Sequence, residues 1–281
     1  VSDAATGTPD RPKRSYLSVG RIGAIAGNTF REAVRHKVFV ALAVAGAALL
    51  LFSIVLSELA VSGQLRRVLL DFGFFAISLF CVVAAIALGA VLLHKELDRK
   101  TIFTLLSKPV PRHEFLLGKY VGMLGVIGLG LVALSLVWFA VLAMQGVPVT
   151  VEIVKGLILI AMEATLVTAV AVMFSAMSSA VMTGLLTFGV VVVGRLVYLV
   201  GELLADTSDK AFFTENPGSR WFGEGLSAVW PDLSVFNASQ QVLLEVEIPV
   251  GYLGHAFLYG TSYGLLFLVI GMFAIARRDF V

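Results

Sequence analysis

Charge is scarce in this chain. Asp, Glu, Lys and Arg together make up 14% of its 281 residues, against about 25% in an ordinary soluble domain. Hydrophobic residues make up 58%, and the mean hydropathy is +0.94. Several apolar runs are long enough to cross a bilayer, so the only class that fits is a polytopic helical membrane protein. Cysteine is almost absent. Cys81 stands alone in an apolar run, so no intrachain disulfide can form, and it reads as a core thiol. The phosphate-cradling pattern G-x-x-x-x-G-K-[ST] is missing. Gly118-Lys119 is followed by Tyr120 and lacks the upstream glycine, so no nucleotide site is expected in this chain. His36, His94, His113 and His255 fall in separate segments without ligand spacing, so neither metal nor cofactor is expected. Net charge is only +2, and no nucleic-acid partner is expected.

The apolar runs predict six spans, at 38–56, 72–93, 120–144, 153–174, 182–203 and 253–276. Residues 38–281 then form one membrane domain. The first run is too long, and its polar preface too extended, for a cleaved signal peptide. Residues 1–15 are polar, contain Pro9 and Pro12, and are expected to be disordered. Residues 16–37 read as an amphipathic helix lying in the membrane interface. Val19, Ile22, Ala26, Phe30 and Ala33 make its apolar face; Arg21, Asn28, Arg31 and Arg35 make its polar one.

Basic residues orient the bundle. Arg11, Lys13, Arg14, Arg21, Arg31, Arg35 and Lys37 share a side with Lys95, Arg99, Lys100, Lys108, Arg112 and Lys119, and with Arg277 and Arg278. The other side holds only Arg66, Arg67, Lys155, Lys210 and Arg220. Both termini are therefore expected inside the cell, with the chain in the inner (plasma) membrane.

Between the second and third spans lies a charged stretch, 94–119, far longer than a connector needs. Leu97, Thr101 and Leu105 fall on one helical face, with Ile102 and Leu106 beside them. Lys108-Pro109-Val110-Pro111 stops that helix, because proline lacks the N–H and restricts the residue before it. Pro111 can open the next helix, with Glu114 in its first turn, where a negative charge suits the dipole. The run from Arg99 through Thr101-Ile102, Leu105-Leu106, Pro109-Val110 and Arg112 to Leu116-Leu117-Gly118-Lys119 resembles the cytoplasmic signature of ABC-2 type permeases. These are the membrane subunits of a class of ATP-driven transporters. Within that family it looks most like the permeases grouped with multi-copper-enzyme maturation, of the nitrous-oxide reductase assembly type. Phe103 departs from the pattern, where a polar or acidic residue is common.

The resemblance implies a coupling helix that docks on a separate cytoplasmic ATPase, which would carry the ATP and magnesium. The coupling residues so implied are Glu96, Asp98, Arg99, Lys100, Thr101, Leu105, Leu106, Lys108, Pro109, Arg112 and Glu114. It further implies a second permease subunit, a substrate path between the two, export as the direction, and short helices dipping into the outer leaflet within 204–252. That outer segment is acidic and rich in aromatics, among them Trp221, Trp230 and Phe236, and is expected to be ordered because the aromatics need cover.

Two charges fall deep inside spans. Glu163 in the fourth and Arg195 in the fifth reach a similar depth, because a tight inner turn joins those helices. An unpaired charge there costs at least a few kcal/mol, about 3 on insertion scales. The two are expected to pair or to line one aqueous cavity; the alternative is that each snorkels outward alone. Gly260-Thr261-Ser262-Tyr263-Gly264 matches G-x-S-x-G, but small residues in a membrane helix usually serve packing. Asp206 and Asp209 form a D-x-x-D pair with no second acidic motif. Gly118, Gly122 and Gly125 are expected to let the third span approach a neighbour closely. An intramembrane lipid-modifying enzyme or protease, or a scaffold that transports nothing, is the alternative function. Such an enzyme would have only Glu163, Arg195 and Ser262 to work with.

Overall fold

The computed structural model describes residues 19–59, 64–98, 111–205 and 217–277. Among these every regular element is a helix, and there is no strand. The elements are α1 (Val19–Val34), α2 (Lys37–Glu58), α3 (Leu65–Asp98), α4 (Arg112–Met144), α5 (Val151–Met177), α6 (Ala180–Ala205), α7 (Pro217–Val229), a 3-10 turn (Leu233–Phe236), α8 (Ser239–Leu243) and α9 (Val250–Arg277). Six helices are long and apolar enough to cross a bilayer: α2, α3, α4, α5, α6 and α9.

The reason for helix is the solvent these segments require. Every backbone N–H and C=O at membrane depth needs an internal partner, and a helix supplies one. Polar side chains follow the same rule. In α2, Ser53 and Ser57 donate to Leu50 O at 2.6 Å and Ile54 O at 2.7 Å, within their own helix. Helix α5 is the hub, packing against α3, α4, α6 and α9. Helices α2, α6 and α9 leave much of their apolar surface free.

Small residues set the close approaches. A Cβ at Gly73 of α3 would lie 2.0 Å from Trp138 Cε2 of α4. The buried indole fills that notch, donates to Leu69 O at 3.2 Å, and meets Phe74 edge-on at 4.9 Å. On α4, Gly118 and Gly122 receive α1: a Cβ at either would come within 2.6 Å of Ile25 Cβ or Thr29 Cβ.

Three features differ from the sequence expectation. The segment before the second span is not all loop. Helix α3 begins at Leu65, and Arg66 in its first turn pairs with Glu245 of the outer segment, which anchors that turn. The second and third spans do not stop at 93 and start at 120: α3 runs unbroken to Asp98 and α4 begins at Arg112. With 34 and 33 residues, each is about 50 Å long, about 20 Å more than the hydrocarbon core. Pro111 serves as N-cap rather than first helical residue, its carbonyl accepting from the Glu114 and Phe115 amides. Finally, the packed face of α1 keeps Ala33 and Phe30, as expected, but loses one residue and gains another. Val19 is 84% exposed, while Thr29 is buried against the α4 glycines. Its hydroxyl donates to Ile25 O at 2.9 Å, so burying it leaves no orphan.

Candidate functional site

At mid-height in the bundle, α3, α5, α6 and the stretch 236–239 enclose a cavity of about 370 Å³. Its polar centre comes from three helices. Arg195 on α6 places Nη2 2.7 Å from Glu163 Oε1 on α5 and donates to Ser78 Oγ on α3 at 2.8 Å. Ser78 in turn lies 3.3 Å from Glu163 Oε2. The carboxylate is thus held by an arginine and a hydroxyl, with only 5% of its side chain exposed, while the arginine side chain is 45% exposed. The chain therefore brings together the two intramembrane charges singled out in the sequence. Ser78 was missed, and the only signal for it is a lone hydroxyl seven residues after Asp71, on the same face of α3. Asp71 also lines the cavity.

The segment 230–248 closes this cavity. Leu233 fits over Gly194 of α6, where a Cβ would lie 2.9 Å from Leu233 Cγ. Phe236 packs against Gly260 and tilts over Tyr259 of α9. Tyr259 Oη accepts from the Asp232 amide at 2.7 Å, and Tyr252 Oη donates to Val235 O at 2.7 Å. Trp230 Nε1 donates to Val190 O at 3.4 Å, near the middle of α6. Below α8, Lys155 on α5 donates to Ile248 O at 2.7 Å, and Glu152 accepts from the Ile248 amide at 2.9 Å. Residues 230–248 are therefore an ordered plug, not a loose connector.

A second cluster gathers where α4 begins. Arg21 of α1 grips Glu114 through two contacts, Nε to Oε2 at 2.7 Å and Nη2 to Oε1 at 3.0 Å. Glu114 is fully buried beneath it, so it offers no surface to an outside partner, contrary to its placement on the exposed charged stretch. Arg112 Nη1 donates to Ile275 O and Ala276 O at 3.0 and 3.1 Å. It thereby satisfies carbonyls of the last turn of α9 and sets a cation at the negative end of that helix dipole. Lys119 is buried, 4.0 Å from Glu32 and 5.8 Å from the Phe115 ring centroid.

Of the other expected coupling residues, Glu96 and Asp98 fall in the last turns of α3, their side chains outside the described set. Arg99, Lys100, Thr101, Leu105, Leu106, Lys108 and Pro109 lie outside the described residues, as do residues 1–18, Asp206 and Asp209. Ser262 Oγ donates to Leu258 O of its own helix at 2.7 Å.

The family model for ABC-2 family transporter proteins matches residues 23–246. No curated protein matches the chain. The matched stretch takes in most of α1, the cavity, the start of α4 and most of the plug, and it spans well over half of the sequence, so this chain belongs to the ABC-2 family of transporter membrane proteins.

Proposed function

We propose that this chain is the permease subunit of an ATP-driven exporter in the inner membrane, working as one of two permeases with a separate cytoplasmic ATPase that carries ATP and magnesium. One observation carries the reading beyond family membership. The segment following the charged stretch is tied to two other parts of the bundle at once, to α1 through Arg21 and Glu114 and to the end of α9 through Arg112. A push on the stretch 94–111 would act on the end of a single continuous helix, α4. The bidentate Arg21–Glu114 pair, with its carboxylate buried, would carry the same displacement to α1, and Arg112 would carry it to α9. Charge-assisted bonds of this kind resist being pulled apart better than neutral ones. On this reading residues 96–109 form the docking handle, Glu114 and Arg112 are internal ties, and α1 rides on α4 at the cytoplasmic interface. Within the family, the residue pattern of 99–119 favours the grouping with copper-enzyme maturation permeases.

The test is co-purification from membranes followed by ATP turnover. The full chain solubilised in mild detergent should bring down an ATPase, and disruption of Leu106 or Pro109 should release it. Arg21→Gln should retain the ATPase yet lose its coupling, seen as ATP turnover that no longer depends on the permease. A chain that recruits no ATPase, or an Arg21→Gln variant that stays fully coupled, would overturn the reading.

A further inference from the structure

The cavity around Glu163 and Arg195 is more than the resting place of an ion pair. Its two charged groups are unequally offered. Glu163 is 5% exposed and Arg195 45% exposed, so what the space presents is the cation. A guanidinium carries five N–H donors in a planar fork. The donors on Nη2 serve Glu163 and Ser78, whereas Nη1 and Nε have no protein partner among the described residues. A half-exposed guanidinium at membrane depth, with donors to spare, is costly unless something anionic or hydrated meets it.

The walls say what else such a ligand carries. Phe75 and Leu79 of α3 and Phe188 and Val192 of α6 line the cavity, and each keeps more than a third of its surface exposed. The space is therefore a slot between α3 and α6 whose apolar walls flank the polar centre. Its inner end runs on to Ile86, eight residues beyond Ser78, or about 12 Å of helix rise. The outer end is polar, with Asn237, Ser239 and Asp71. The volume falls within the range of small-molecule sites, about 300–1,000 Å³. Asp71, about 10 Å along α3 from Ser78, disfavours a multiply charged head.

We propose that this slot binds an acyl-chain amphiphile with a singly charged anionic head group, the head on the free edge of Arg195 and the chain along α3 and α6. Glu163 and Ser78 hold the guanidinium in place from behind, so the ligand meets a preorganised cation and not a mobile one. Two sources supply this chemistry, a free fatty acid or the anionic phospholipid of the surrounding leaflet. The site lies within one permease, and binding there requires no ATPase, so this proposal stands or falls independently of the transport reading.

The experiment is photolabelling of the purified full-length protein in nanodiscs of zwitterionic lipid. One arm uses palmitate bearing a diazirine in its chain, another phosphatidylglycerol with the same chain, and a third the uncharged hexadecanol analogue. Peptide mapping should place label on α3 and α6 with either or both anionic probes, and the arm that labels identifies the source. Hexadecanol should label the slot about tenfold less, the size expected for one lost charge-assisted contact. Glu163→Gln keeps an oxygen that can accept from Arg195 and so keeps the guanidinium in place, but removes the competing negative charge, and should raise labelling. The double variant Glu163→Gln/Arg195→Gln keeps hydrogen-bonding groups without either charge and should lose it. Val192→Trp fills the slot from its apolar wall, leaves the polar centre intact, and should also lose it. The proposal is overturned if neither anionic probe labels α3 and α6 above the exposed faces of α2 and α9. Equal labelling by hexadecanol, or labelling that survives in both the double variant and Val192→Trp, overturns it too.

Discussion

The energetics of the Glu163–Arg195 pair are lopsided, and mutation should reveal it. Removing the arginine leaves a carboxylate with 5% exposure and only Ser78 at 3.3 Å. Leaving a buried carboxylate without its ionic partner costs about 3–5 kcal/mol. Removing the carboxylate leaves a guanidinium that is nearly half exposed and still bonded to Ser78, so the loss is nearer that of one hydrogen bond to a charge, about 1.5–3 kcal/mol. Arg195→Gln should therefore lower the unfolding temperature more than Glu163→Gln does, and the double variant should recover part of the difference. Equal losses would mean that both groups see the same water. Gly73 gives a second residue-scale case. A Cβ there would lie 2.0 Å from the Trp138 ring, and overpacking of this kind costs about 1–3 kcal/mol. Gly73→Ala should lower thermal stability, whereas Gly128→Ala, which meets nothing within 4 Å, should not. Combined with Trp138→Leu, Gly73→Ala should add little further loss, because the residue it collides with is gone; a fully additive double variant would refute the clash.

Between elements, the association of α1 with α4 rests on a glycine row rather than on hydrophobic force. In lipid an apolar side chain gains little by leaving its surroundings, so helices associate through close packing and polar contacts. A Cβ at Gly122 would lie 2.6 Å from Thr29 Cβ and 2.7 Å from the Ala26 carbonyl oxygen. The second of these neighbours is backbone and cannot rotate away. Gly122→Val should push α1 off α4, with Arg21 and Glu114 drawn apart as a consequence. Faster tryptic cleavage at Arg31 and Arg35, beside a lower melting temperature, would report it; unchanged cleavage would mean α1 is held elsewhere. This element also marks where sequence reading stopped. The glycine spacing on α4 was legible, since 118, 122 and 125 share a face, but which helix it receives was not. Periodicity on α1 alone favoured Val19 and overlooked Thr29, because a threonine counts as polar until its hydroxyl is seen returning to Ile25 O. The six crossing helices were legible for the opposite reason: each is a long apolar run, and the bilayer sets its length. Glu163 and Arg195 could be matched in depth by counting from the tight turn between their helices. Ser78 and Arg21 join partners 85 and 93 residues away, and no local pattern encodes such pairings.

Across the whole molecule, charge is sorted between the two ends of the bundle, and the sorting has a physical reading. Arg21 reaches the start of α4 and Arg112 reaches the end of α9, so α1, the start of α4 and the last turn of α9 gather at one end. Arg66 pairs with Glu245, and Lys155 with Glu152 and the Ile248 carbonyl, at the other. Arg66 and Lys155 are thus matched by nearby acids or a carbonyl. Because short basic flanks remain on the cytoplasmic side during insertion, the α1 end should face the cytosol and the plug should face outward. The single native cysteine makes this simple to check, because Cys81 is fully buried and should leave a silent background. Val19→Cys and Leu244→Cys introduce thiols at positions 84% and 65% exposed, one at each end. In intact cells a membrane-impermeant maleimide should label Leu244→Cys and spare Val19→Cys until the membrane is opened. The reverse pattern would put the charged stretch on the outer face, where no cytoplasmic ATPase could grip it.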